Sequence, residues 1–134
     1  MKINLSLVVS VLLFIACQES LEQRAQRALR DYSDKNCPMV INESVTLDSC
    51  AFDIPTLTLN YYYHLSGAFD NDSSGNAKSG EMRQLLIESL KNETSVRTYK
   101  EAGYSFRYIY YSKTEPDDIL FETTIKKEDY ATSR

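Results

Sequence analysis

From Leu57 to Ser66 the chain alternates. Leu57, Leu59, Tyr61, Tyr63 and Leu65 fall on one side and Thr58, Asn60, Tyr62, His64 and Ser66 on the other. A period of two is that of a strand buried on one face. After Gly103 the pattern returns, with Tyr104, Phe106, Tyr108 and Tyr110 alternating with Ser105, Arg107, Ile109 and Tyr111. Strands patterned this way require further strands beside them and an apolar cover, so the chain is confined to layered folds. Val45 to Phe52, ending before Pro55, reads as an earlier strand. Ile119 to Ile125 reads as a later one, after a turn at Lys113 to Asp118 that contains Pro116.

Two helical segments supply the cover. In Glu19 to Tyr32, the residues Leu21, Ala25, Ala28, Leu29 and Tyr32 recur at helical spacing. Glu19 and Glu22 come early and Arg24, Arg27 and Arg30 late, an order that suits the helix dipole. A second helix runs from a Ser79 cap to about Asn92, with Met82, Leu85, Leu86, Ser89 and Leu90 on its inner face. The order is helix, strand, strand, helix, strand, strand. Short connections inside each strand pair favour antiparallel hairpins. The expected fold is α+β, with one antiparallel sheet and helices on one face.

The amino terminus has a different character. Lys2 is followed by no charge until Glu19, and the uncharged run from Ile3 to Gln18 would make about 24 Å of helix, short of the roughly 30 Å a spanning helix crosses. A short basic start, an apolar stretch and a small residue form a signal-peptide layout. Phe14-Ile15-Ala16-Cys17 resembles the lipobox of bacterial lipoproteins, with Phe14 where Leu is usual. The resemblance implies cleavage after Ala16, palmitate-type acyl chains on Cys17 and essentially permanent anchoring. Gln18, in place of the Asp that usually retains such proteins at the inner membrane, directs the anchor to the outer membrane of the cell envelope. The expected divisions are 1–16 as signal peptide, 17–35 as lipidated terminus and amphipathic helix, and 36–134 as a small α+β domain.

With Cys17 lipidated, Cys37 and Cys50 remain as an even pair with twelve residues between them, which in an oxidising compartment is a candidate disulfide. The mature chain retains 14 basic and 19 acidic residues, a net charge of −5. No basic stripe accompanies the ten tyrosines, which argues against a nucleic-acid partner.

Catalytic patterns are few. His64 is the only histidine and no nucleophile motif lies near it. Asp117 and Asp118 are adjacent in a turn, which aims their carboxylates apart, and four glycines form no phosphate loop. These features point away from an enzyme. Asp70, Asp72, Ser74, Gly75 and Glu81 match positions 1, 3, 5, 6 and 12 of an EF-hand loop, so calcium is the one cofactor left open. A strand leads into the loop where an EF-hand has a helix, and Lys78 adds unfavourable charge.

Cys37-Pro38, Thr46-Leu47-Asp48-Ser49, Leu59-Asn60-Tyr61-Tyr62-Tyr63 and Gly103 to Tyr110 resemble motifs of small secreted or lipid-anchored bacterial domains of unknown function, over about residues 36–130. That resemblance implies no activity. The function read from the sequence is a membrane-anchored envelope lipoprotein acting as a non-enzymatic protein-interaction module. Its contact surface would lie at Tyr62, His64 and Tyr111, and its partner would be another envelope or secreted protein. The alternative is a small-ligand or calcium-binding lipoprotein using the Asp70–Glu81 loop.

Overall fold

The computed structural model describes residues 18–70 and 75–131. Among these residues four helices accompany one five-stranded sheet. Helix α1, Leu21–Asn36, starts where Ser20 and Gln23 form a capping box, each side chain meeting the other's backbone N–H at 3.2 and 3.1 Å. It ends at Cys37, which is extended and precedes Pro38. Strands β1 (Met39–Val40), β2 (Val45–Asp53) and β3 (Thr58–Leu65) follow, then a 3-10 turn at Gly67–Phe69. Helices α2 (Gly75–Asn92) and α3 (Arg97–Glu101) lead to β4 (Ser105–Ser112), β5 (Ile119–Ile125) and α4 (Lys127–Tyr130). Among the described residues no helix is long and apolar enough to cross a membrane.

The strands stand in the order β1-β2-β3-β4-β5. Three of the four neighbouring pairs are antiparallel. The central pair, β3 with β4, is parallel, with Leu59 beside Phe106, Tyr61 beside Tyr108 and Tyr63 beside Tyr110. This corrects the expectation of an antiparallel sheet. The chain between β3 and β4 carries α2 and α3 along the sheet, and a crossover of that length returns the next strand in the original direction.

Ala25 and Leu29 of α1, Ile87 and Leu90 of α2, and Leu59, Phe106 and Ile125 of the sheet share one buried cluster. Ala25, Leu59, Phe106 and Ile125 are completely buried. The first helix therefore belongs to the same core as the strands. Two sequence expectations shift by one step. Leu57 has φ 51°, sits in the β2–β3 turn and is 39% exposed, so β3 begins one residue later than its alternation suggested. Leu85, expected on the inner face of α2, is 71% exposed, and Ile87 takes the buried position. Arg83 of the same helix adds polar contacts to the sheet and to α4. Its guanidinium donates to Thr123 Oγ1 at 2.7 Å and the Thr124 carbonyl at 3.0 Å, and pairs with Asp129 at 2.9 Å, holding α2 against β5 and α4.

Candidate functional site

Helix α1 packs on β2, while α2 packs on β5 and α4, near opposite edges of the sheet. The middle of the covered face is left between them. It forms a groove of about 450 Å³, within the usual range of binding cavities. Tyr61, Tyr63 and Tyr108 form its floor with Leu47 and Cys50. Ala28, Leu29 and Tyr32 make one wall, Leu86, Ser89 and Leu90 the other, and Glu93, Val96 and Tyr99 the end below α2. Met39 and Ile41 stand at the rim. Tyr32 and Ile41 are 44% and 52% exposed, so the apolar lining continues out onto the surface.

The parallel pairing explains the floor. In-register neighbours on one face meet side by side, and Tyr61 stacks on Tyr108 at 5.4 Å and 13° while Tyr63 stacks on Tyr110 at 4.7 Å and 9°. Burial pushes the phenols of Tyr61, Tyr63 and Tyr108 well above their ordinary value, and that of Tyr110 up to about 12. They remain protonated at neutral pH. No buried side-chain polar atom lacks a hydrogen-bond partner among the described residues. The floor thus offers ring faces and hydroxyl groups, suited to apolar side chains that carry some backbone or polar edge with them.

The sequence-predicted residues fall elsewhere. Tyr62, His64 and Tyr111 lie on the face of the sheet opposite the groove floor, and His64 pairs in register with Tyr111. Asp48 is the extra residue of a bulge in β2, which turns its carboxylate to His64 Nδ1 at 2.5 Å. His64, Asp48 and Tyr111 border a cavity of about 200 Å³, and Tyr62 a separate one of about 460 Å³ with Asn60, Arg107 and Thr124. Cys37 and Cys50, expected as a disulfide, are free thiols in this structure. The Cys50 thiol lies under α1, donating to the Leu29 carbonyl at 3.6 Å, and burial pushes it up to about 11. Cys17, Asp72 and Ser74 lie outside the described residues.

Asp70, the first residue of the calcium pattern, is buried and faces the β4–β5 turn. Its carboxylate accepts from the Ser112 hydroxyl and from the Thr114 amide at 3.1 Å, while Ser112 Oγ accepts from the Glu115 amide at 3.0 Å. Glu81, the last residue of the pattern, is exposed on α2. No group of three or more His, Cys, Asp or Glu side chains among the described residues could hold a metal ion. The hydrogen bond from Ser112, chiefly, holds Asp70 below its ordinary value of 3.8. A depressed carboxylate stabilises the fold above the unfolded value and loses that contribution as pH falls through the folded one. Asp70→Asn should therefore lower the melting temperature at pH 7, and the gap from the parent chain should narrow towards pH 3. A gap that stays constant between the two would show that the charge on Asp70 contributes nothing.

A family model described as a domain of unknown function, DUF8479, matches residues 20–121, from the α1 cap into β5. The chain belongs to this family. No curated protein sequence matches it. Its DUF8479 fold is shared with a Pseudomonas aeruginosa protein described as secreted, at TM-score 0.65 and 13% identity over 84% of this chain and 99% of that one. It is also shared with a pilotin of the Vibrio vulnificus type 2 secretion system, at TM-score 0.63 and 11% identity over 84% and 94% of the two chains. A type II secretion pilotin from Vibrio cholerae aligns at TM-score 0.58 and 13% identity, over 81% and 91%. At such identities the likeness is one of fold. The DUF8479 groove between α1 and α2 was missed by sequence reasoning. Ala28, Tyr32, Leu86 and Ser89 were legible as helix-face residues, but only the spacing of the two helices turns them into walls.

Proposed function

We propose that this chain is a lipid-anchored protein of the bacterial cell envelope that works without catalysis, by receiving an apolar segment of another envelope protein in the groove between α1 and α2. The observation that carries the reading is the groove itself: two helical walls and a tyrosine floor, with an exposed apolar rim at Tyr32 and Ile41. Soluble surfaces leave few such continuous apolar features without a partner. Acylation of Cys17, implied by the lipobox, would hold the start of α1 at the membrane, because only Gln18 and Glu19 separate that cysteine from the Ser20 cap. The fold held in common with two type 2 secretion pilotins makes a component of a secretion assembly the first partner to test.

Photo-crosslinking side chains at Ala28 and Ser89, which are exposed on the two walls, and at Tyr62 on the opposite sheet face, separate the surfaces. In envelope preparations the wall positions are expected to yield one dominant crosslinked protein and Tyr62 none. Crosslinks confined to Tyr62 would move the contact to the opposite face, and crosslinks from neither would remove the protein-partner reading.

A further inference from the structure

Cys37 and Cys50 bracket the rim of the groove. Between them run β1 and the turn into β2, carrying Met39, Ile41 and Leu47, all of which line the groove, and Cys50 itself lies in its floor. Ser33 of α1 holds both cysteine backbones. The Cys37 N–H donates to its carbonyl at 2.9 Å and the Cys50 N–H to its hydroxyl at 3.2 Å. The strand register agrees, because Met39 faces Leu47, and counting outward from that pair brings Cys37 opposite the Ser49–Cys50 step beyond the bulge. We propose that Cys37 and Cys50 form a redox latch, a modification site whose oxidation cross-links the end of α1 to β2 and clamps the rim of the groove.

Cys50 also senses Cys37 electrostatically, after the larger effect of its own burial. The chemistry is exchange with an external disulfide, supplied by a thiol–disulfide oxidoreductase or a small disulfide such as oxidised glutathione. Cys37, the more exposed thiol, loses its proton and attacks one sulfur of that disulfide, releasing one thiolate and forming a mixed disulfide. Cys50 loses its proton and attacks the Cys37 sulfur, releasing the second thiolate. The two protein thiols are oxidised by two electrons, the external disulfide is reduced to two thiols, and the two protons pass to the released thiolates. In the closed loop the rim amides, Ile41 and Asn42, which donate to the Val45 carbonyl at 2.9 and 3.2 Å, lose the freedom to open.

The bearing of the latch on partner binding rests on the groove reading above, but the latch is tested without it. The full chain is equilibrated in mixtures of reduced and oxidised glutathione, alkylated and mapped by mass spectrometry, and amide hydrogen exchange is followed in the fully reduced and fully oxidised samples. The expected result is a peptide pair joined through Cys37 and Cys50 within one chain, a melting temperature higher by roughly 10 °C, and exchange at residues 41–45 slowed at least tenfold. Two alkylated thiols throughout, links only between chains, or a link that leaves exchange at 41–45 unchanged would each overturn the proposal. Failure of the crosslinking from Ala28 and Ser89 would leave these readouts untouched.

Discussion

Ala28→Glu and Ser89→Glu, made together, should weaken retention of the crosslinked partner at least a hundredfold while the chain melts as before. Both positions are exposed on helices in the isolated chain, so folding asks no desolvation of the new carboxylates, and surface changes of this kind stay within about 0.5 kcal/mol. Docking is different. An apolar segment entering between the walls strips water from both charges and offers no partner, a penalty of several kcal/mol per ion. Even about 3 kcal/mol corresponds to a hundredfold change in affinity. The measurement is surface-immobilised binding of the identified partner, with thermal melting of the double variant alongside. Full binding by a folded double variant would exclude the groove as the contact. Gln84→Glu and Arg24→Glu, at exposed positions on the same two helices that do not line the groove, provide the control for charge as such.

Phe106→Ala should cost about 3–5 kcal/mol of folding stability, a large share of the roughly 5–15 kcal/mol of an ordinary domain. Phe106 is completely buried in β4, beside Leu59 across the parallel pair and Ile125 across the antiparallel one. Its ring meets Tyr130 edge-on at 5.7 Å and 88°. Tyr130 is itself fixed, since its hydroxyl donates to the Tyr104 carbonyl at 2.8 Å, so α4 has little freedom to fill the void. Urea denaturation reads the loss directly. Leu85→Ala, at a position that is 71% exposed, should change stability by less than about 0.5 kcal/mol in the same assay. If the two variants lost comparable stability, the rotation assigned to α2 would be wrong.

Much of the fold was legible because strand and helix periods are local properties. The alternation through Leu59, Tyr61, Tyr63 and Leu65 appears as β3, and Ile119 to Ile125 as β5. The first helix was also readable, although its start at the Ser20 cap and its extension to Asn36 depend on capping chemistry and on where Pro38 stops it. The two-residue strand β1 and the short helices α3 and α4 carry too few residues for any period to register.

The candidate site was far less readable. His64 and Tyr111 were expected on one face and do neighbour each other, since alternation determines faces as well as strands. The bulge that aims Asp48 at His64 arises from a mismatch between β2 and β3, which neither strand announces alone. Asp70 fits a calcium loop by spacing, yet Ser112 and Thr114, more than forty residues away, engage its carboxylate. A spacing motif describes which ligands could converge and not which hydrogen bonds compete for them.

By itself the sequence determined the longer strand and helix segments and the mixed α+β class of the fold, which follow from residues within a few positions of one another. Tertiary structure alone decided that β3 and β4 run parallel, that Ile87 and not Leu85 turns inward, and that α1 and α2 stand apart over a floor of stacked tyrosines. These outcomes depend on where a crossover returns and which surfaces remain to be covered. That is a competition among distant segments for the same buried area, and no local period encodes its result.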